Sequence, residues 1–365
     1  MEGKIKVGIL FGGRSVEHEV SLQSAKNVID AIDREKYEVT LIGIDKRGHW
    51  FLYDSSNFLL NADNPKLIKL NNSDKEVVMT TGESSGLYSL SENKFLDKLH
   101  VIFPVLHGTF GEDGTLQGLL KLADIPFVGA GVLGSVVGMD KDVMKRLLRD
   151  AGIPISDFLS YRKFEYNEIN FEEVKNKLGL PMFVKPANLG SSVGISKVHS
   201  EDEFKKAIDE AFLYDTKIVI EENIIGRELE CAVLGNEKPV ASIVGEVVPK
   251  HDFYSYDAKY LDENGATLKV PADIPEDVSE KISDLAVKTF TTLSCEGMGR
   301  VDLFLKENGD IFVNEINTLP GFTKISMYPR LWSETGISYK DLIDILITLA
   351  MDRFNREIDL ETHKI

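Results

Sequence analysis

The sequence predicts an α/β protein made of three consecutive units. Three observations carry this. The chain opens as β-α-β, its alternation of strands and helices restarts near Gly129 and near Ile218, and an Asn-Gly hairpin between two apolar runs ends the last unit. A length of 365 residues suffices for two or three domains, each with its own core.

Residues 4–11 form the first expected strand, followed by the loop Gly12-Gly13-Arg14-Ser15. Val20, Leu22, Ala25, Val28, Ile29 and Ile32 then recur at helical spacing, and Tyr37 to Ile44 is a second strand. Residues 60–96 are polar and irregular, with short strands or loops expected there. A third strand spans 100–106, a helix 115–123, and Ile125 to Val128 closes a first unit of residues 1–128.

In the second unit, residues 129–217, Asp140 can cap a helix that runs to about Asp150 and stops at Gly152 and Pro154. Strands at 181–186 and 193–198 flank a glycine-containing loop, and Ser200-Glu201-Asp202-Glu203 is a capping box for a helix at 201–213. The third unit, residues 218–365, holds strands at 218–222, 228–234 and 240–248, and helices near 276–294 and 338–353. Its stretch 249–271 is too long for an ordinary connection. Phe253, Tyr254, Tyr256 and Tyr260 give it too many aromatics for a disordered linker, so a lid is expected.

The net charge of −17 argues against nucleic acid or an anionic membrane as a partner. Two cysteines, Cys231 and Cys295, make neither a disulfide framework nor a zinc spacing, which fits a reducing cytosol. Val7 to Phe11 is too short for a signal peptide, and the apolar run Leu342 to Ala350 is too short to cross a bilayer.

The hairpin is the most informative stretch. If Asn308-Gly309 is a two-residue turn, Glu307 pairs with Asp310, Phe304 faces Val313, Asp302 faces Glu315, and Arg300 faces Asn317. Two carboxylates ~5 Å apart repel by roughly 3 kcal/mol at an effective dielectric of ~20. A divalent cation reverses that sign, and Asp, Glu and Asn are the hard oxygen ligands that suit Mg²⁺ with phosphates. Alternatively, Arg300 neutralises the pair as a structural ion network.

Gly190-Ser191-Ser192-Val193-Gly194 is either a tight turn or a row of backbone N–H groups that cradles an anion. Lys185 precedes it, and Lys141 and Lys145 lie one helical turn apart, so in an acidic chain these lysines point to a polyphosphate. The spacing is not that of a Walker loop. Glu221-Glu222-Asn223-Ile224-Ile225, at a strand end, has the backbone groups and apolar flanks to hold a purine. Near the N-terminus, Gly-x-Gly-x-x-Gly is absent, which disfavours a nicotinamide dehydrogenase. Glu17, at a helix start, either complements the helix dipole or fixes a substrate amine, and His107 can serve the same pocket.

Several segments resemble one family. They are Glu17-His18-Glu19-Val20-Ser21-Leu22, His107-Gly108 with Gly111 to Gly118, Met139-Asp140-Lys141, Val184-Lys185-Pro186 with Gly190 to Gly194, Tyr254 to Tyr260, and Asn314 to Thr323. Together they resemble the D-alanine–D-alanine ligases, ATP-grasp enzymes, in order along nearly the whole chain. The resemblance implies a three-domain ATP-grasp architecture with an N-terminal preATP-grasp (Rossmann-like) domain, and ATP between the second and third domains. It implies Lys141, Lys185 and Ser192 at the phosphates, Glu221, Glu222, Asn223, Ile224 and Glu228 at the adenosine, and Asp302, Glu315 and Asn317 as ligands of two Mg²⁺ or Mn²⁺. It also implies Glu17, Ser191 and Ser326 placing the first D-alanine, His107 beside it, Arg300 and Gly321 at the reacting carboxyl, and Lys259 and Tyr260 in the lid. Glu222 departs from members that carry a lysine there. Peptidoglycan precursor synthesis, a cytoplasmic location and a homodimer follow by the same analogy. The nearest alternative is a D-alanyl–D-serine or D-alanyl–D-lactate ligase, and Tyr260 favours the dipeptide over the depsipeptide.

Overall fold

The computed structural model describes residues 3–82, 85–191, 193–249, 266–358 and 360. Three principal sheets organise it. In the first, seven strands run in the order Lys94–Phe95, Gly86–Ser89, Glu76–Thr80, Trp50–Tyr53, Tyr37–Ile44, Ile5–Gly12, Val101–Val105. The last three are parallel to one another, and the others pair antiparallel. Val7, Ile9, Leu10 and Phe11 have no exposed surface, as a parallel strand covered on both faces requires.

The second sheet is antiparallel, with the order Phe158–Arg162, Lys217–Glu222, Met182–Pro186, Ser196–Val198. The division expected at 217/218 assigns residues 218–222 to the third unit, and the strand Lys217–Glu222 hydrogen-bonds in the middle of this sheet. Ile218, Val219 and Ile220 are fully buried, which suits an interior strand. The strand Phe158–Arg162 and the helices Val132–Met139, Phe171–Leu178 and Met327–Thr335 have no counterpart in the sequence reading.

The third sheet is also antiparallel, in the order Ala266–Lys269, Val240–Pro249, Arg227–Gly235, Gly297–Leu305, Ile311–Asn317. Its last hairpin corrects the expected turn. Lys306, not Glu307, pairs with Asp310, because Gly309 takes φ 89° and closes a three-residue loop. Leu303 therefore faces Val313 and Phe304 faces Phe312. A bulge at Asn314 then restores the count, so Asp302 faces Glu315 and Arg300 faces Asn317 as expected.

The second sheet packs a cluster of its own, but two other cores are shared between units. Val7, Phe11 and Phe103 of the first sheet share one apolar cluster with Phe322, Tyr328, Trp332 and Leu346. Val137, Met144 and Leu148, from the helices Val132–Met139 and Lys141–Asp150, pack into the cluster under the third sheet. Arg353 ties the last helix to the first unit by donating to the carbonyls of Phe127 and Gly129, at 2.8 and 2.5 Å. Side chains from all three units thereby meet around one cleft.

Candidate active site

The cleft is a pocket of about 310 Å³. Every expected site residue within the described chain lines it, from Glu17 and His107 to Ser326. Ser192, Lys259 and Tyr260 lie outside the described residues, as do the other lid aromatics.

At one end, Glu17 opens the helix His18–Ala31 and accepts a hydrogen bond from the Ser191 hydroxyl. Ser191 stands in the left-handed region at φ 54°, a conformation that costs a serine on the order of 1 kcal/mol. Gly108 is needed beside it. A Cβ there would lie 2.5 Å from Glu17 Oε2, so a larger residue would displace that carboxylate.

His107 is buried, and its ring is tied to the Leu319 carbonyl at 3.0 Å and to Ser24 Oγ at 3.2 Å. Burial lowers its pKa to about 4, so the ring is neutral. Glu112 accepts from the backbone N–H groups of Gly108 and Leu319, at 2.7 and 3.2 Å. Burial and the nearby Glu17 raise its carboxyl well above the usual range.

Three lysines and two glutamates order the middle of the pocket. Lys185 donates to Glu221 at 2.9 Å, and Lys145 lies 3.6 Å from the same oxygen. Burial opposes the charge on Lys185, but Glu221 and Glu315 outweigh it and raise the ammonium's pKa. Burial opposes the Glu221 carboxylate too, and Lys145 and Lys185 hold it ionised. The Glu221 side chain is thus a charge partner for lysines. Glu222 accepts from the Asp157 N–H at 2.8 Å, so its carboxylate anchors the sheet edge as it lines the pocket. Phe183, Ile224, Leu229, Val247 and Phe304 supply apolar walls.

Lys141 donates to the Leu189 carbonyl at 2.8 Å and lies 3.3 Å from Glu315. Arg300 forks onto Asp302 through two bonds of 2.7 Å and reaches Glu230 at 3.0 Å. Arg300 therefore neutralises Asp302 and also lines the pocket. Asn317 donates to Asp302 at 3.3 Å. Among the described residues no three His, Cys, Asp or Glu side chains group as a metal site. The expected set is instead two facing carboxylates and an amide, all hard oxygen donors that fit Mg²⁺ or Mn²⁺. Glu112, Glu230 and Phe183 were missed by sequence reasoning. Lys145 was read from its place one turn after Lys141 on the helix Lys141–Asp150.

Comparison with known proteins identifies the family. The family model described as D-ala D-ala ligase N-terminus matches residues 6–130, and that described as D-ala D-ala ligase C-terminus matches residues 147–348. A D-alanine–D-alanine ligase of Shouchella clausii is 56% identical, with 98% of each chain covered. The structure of the D-alanine-D-alanine ligase from Coxiella burnetii superposes with a TM-score of 0.84 at 38% identity, covering 97% of this chain and 96% of that one. The VanG D-Ala:D-Ser ligase from Enterococcus faecalis also gives 0.84, at 36% identity, covering 95% of this chain and 100% of that one. Every pocket-lining residue except Lys141 falls within the matched residues, and the chain belongs to the D-alanine–D-alanine ligase family.

Proposed function

We propose that the chain joins two D-alanines into D-alanyl-D-alanine at the expense of ATP, through an acyl phosphate, for peptidoglycan precursor synthesis. One observation carries the reading. An amine-holding end, Glu17 with Ser191, and a polyphosphate-holding end, Lys141 with Lys185, share one pocket with the facing carboxylates Asp302 and Glu315.

Glu17 and Ser191 hold the ammonium of the first D-alanine, and Ser326 helps to place it. Lys141, Lys185 and Ser192 hold the phosphates of ATP, with the base between the 221–224 backbone and the apolar wall, and Glu228 and Lys259 beside the nucleotide. Asp302, Glu315 and Asn317 are the residues that would hold divalent cations, two Mg²⁺ or Mn²⁺, which supply charge neutralisation at the phosphates. The first carboxylate attacks the γ-phosphorus and ADP leaves. The second amine then attacks the acyl carbon and phosphate leaves. Arg300 and the backbone around Gly321 stabilise the oxyanion. Tyr260 and the 249–271 stretch exclude water, which would otherwise hydrolyse the acyl phosphate. ATP lies between the second and third units, the first D-alanine lies against residues 1–128, and the enzyme works as a cytoplasmic homodimer. Among the described residues, no helix is long and apolar enough to cross a membrane.

The test is mass spectrometry of products formed from D-alanine, D-serine and D-lactate in competition, with ATP and Mg²⁺. D-alanyl-D-alanine as the main product supports the proposal, and absence of any D-alanine adduct defeats it. The likeness to VanG keeps a second reading, a D-alanyl–D-serine ligase, which dominant D-alanyl-D-serine would establish instead.

A further inference from the structure

The segment Leu319–Phe322 carries Gly321, yet it is held largely by the first unit. The Leu319 N–H donates to Glu112 at 3.2 Å, and the Leu319 carbonyl accepts from His107 at 3.0 Å. The Phe322 N–H donates to Ser24 Oγ at 3.2 Å. The Phe322 carbonyl accepts from Asn27 at 3.2 Å and from the Tyr339 hydroxyl at 2.7 Å. Both peptide groups that flank Pro320-Gly321 are thus pinned from outside the segment.

The direction of each bond can be assigned. A neutral imidazole has one N–H, and a carbonyl only accepts, so Nδ1 of His107 carries the proton toward Leu319. Nε2 then has the lone pair and takes the Ser24 O–H. Ser24 Oγ in turn accepts the Phe322 N–H. The result is a one-way chain from the Phe322 N–H through Ser24 and His107 to the Leu319 carbonyl. Its protons run consistently only while His107 is neutral. Ser24, Asn27 and Tyr339 do not line the pocket. Asn27 and Tyr339 face an open depression on the far side of the segment.

We propose that Ser24, Asn27 and Tyr339 are positioning residues for ligation, which fix the Gly321 backbone against the transfer centre without touching substrate. This rests on the reading that Gly321 borders the reacting carbonyl. A displaced Gly321 slows attack by the second amine more than it weakens nucleotide binding, and the acyl phosphate then waits longer for water. Hydrolysis of that intermediate returns D-alanine and phosphate, with net loss of ATP.

The experiment compares Ser24→Ala, Tyr339→Phe and Ser24→Thr with the unaltered enzyme, reading released phosphate and dipeptide together. The expected result is a fall in kcat of about 5–10-fold for Ser24→Ala and for Tyr339→Phe, the scale of one lost buried hydrogen bond. The KM for ATP stays within about twofold, phosphate released per dipeptide rises, and Ser24→Thr regains most of the loss. Tyr339→Phe removes one oxygen from a half-buried ring and keeps its packing against Phe322, so it folds even if Ser24→Ala does not. Unaltered kcat and unaltered coupling in Tyr339→Phe overturn the proposal. So does a loss of kcat that moves together with ATP affinity and thermal stability. An unaltered enzyme that makes no dipeptide from D-alanine defeats the functional reading instead, and is a separate result.

Discussion

Asp302 faces Glu315 because two irregularities in their hairpin cancel: a three-residue turn closed by Gly309 shifts the register, and the bulge at Asn314 shifts it back. The two carboxylates are kept apart electrostatically by different cations. Arg300 forks onto Asp302, and Lys141 lies 3.3 Å from Glu315. Asp302→Asn keeps the shape of the side chain but removes the charge that Arg300 grips and that a cation would bind. Dipeptide formation should fall by about 10²–10³, the scale seen when one transition-state charge contact is lost. The Mg²⁺ concentration for half-maximal rate should rise in the same titration. An unaltered Mg²⁺ dependence would remove Asp302 from the metal set.

Gly309 supplies the turn at the far end of the same hairpin, with φ 89° and no atom within 4 Å of a Cβ added there. Gly309→Ala therefore introduces backbone strain without a clash. Stability should drop by about 1–2 kcal/mol in urea unfolding, while kcat stays unchanged because the bulge still sets the pairing at the site. A large loss of activity at intact stability would mean that the turn and the site are mechanically coupled.

This hairpin also shows where the sequence is readable and where it is not. The Asn-Gly pair marks a turn, but a two-residue and a three-residue loop differ only in whether Glu307 joins the strand, and local composition does not separate them. The bulge at Asn314 has no glycine to announce it. The facing of Asp302 and Glu315 was nevertheless read correctly, because the longer loop and the bulge each shift the register by one residue and cancel. Lys185 with Glu221 was legible only in part, since their pairing is set by the register of Met182–Pro186 against Lys217–Glu222. Glu112 lies in a segment that carries the resemblance, but its own role was not legible: its partners, Gly108 and Leu319, are backbone groups 4 and 207 residues away in sequence. Helices such as Met327–Thr335 escaped because Pro329 sits in the first turn, where proline is tolerated but reads as a breaker.

His107 makes stability depend on pH in a defined window. Its folded pKa of about 4 lies below the ordinary value of 6.5, so the unfolded chain takes up the proton first. The contribution is complete above pH 6.5 and is lost as pH falls toward 4, by about 2 kcal/mol at pH 5. Protonation also places a second N–H on Nε2, against the Ser24 hydroxyl. Urea midpoints at pH 7 and pH 5 test this: the enzyme should lose more stability over that interval than His107→Gln, which has no group to protonate. Equal losses would show that His107 does not carry the pH dependence.

Lys145 is the cation that sequence spacing hinted at and the structure explains. It has no exposed surface, donates to Ser156 at 2.8 Å and lies 3.6 Å from Glu221. Burial lowers its pKa more than Glu221 raises it. With Lys185 and Glu221 it forms a set whose formal charge is +1, two ammonium groups against one carboxylate, beside the expected phosphate site. Lys145→Met keeps the length and apolar stem and takes that charge to zero. Glu221 retains Lys185 at 2.9 Å, so no buried charge is left unpaired and the fold should persist. The lost attraction on a polyphosphate ~7 Å away is about 2 kcal/mol at an effective dielectric of ~20, less whatever solvent and counter-ions screen. The KM for ATP should therefore rise by about tenfold, with the KM for D-alanine unchanged. An unchanged KM for ATP would show that Lys145 serves only to hold Glu221 and Ser156 in place.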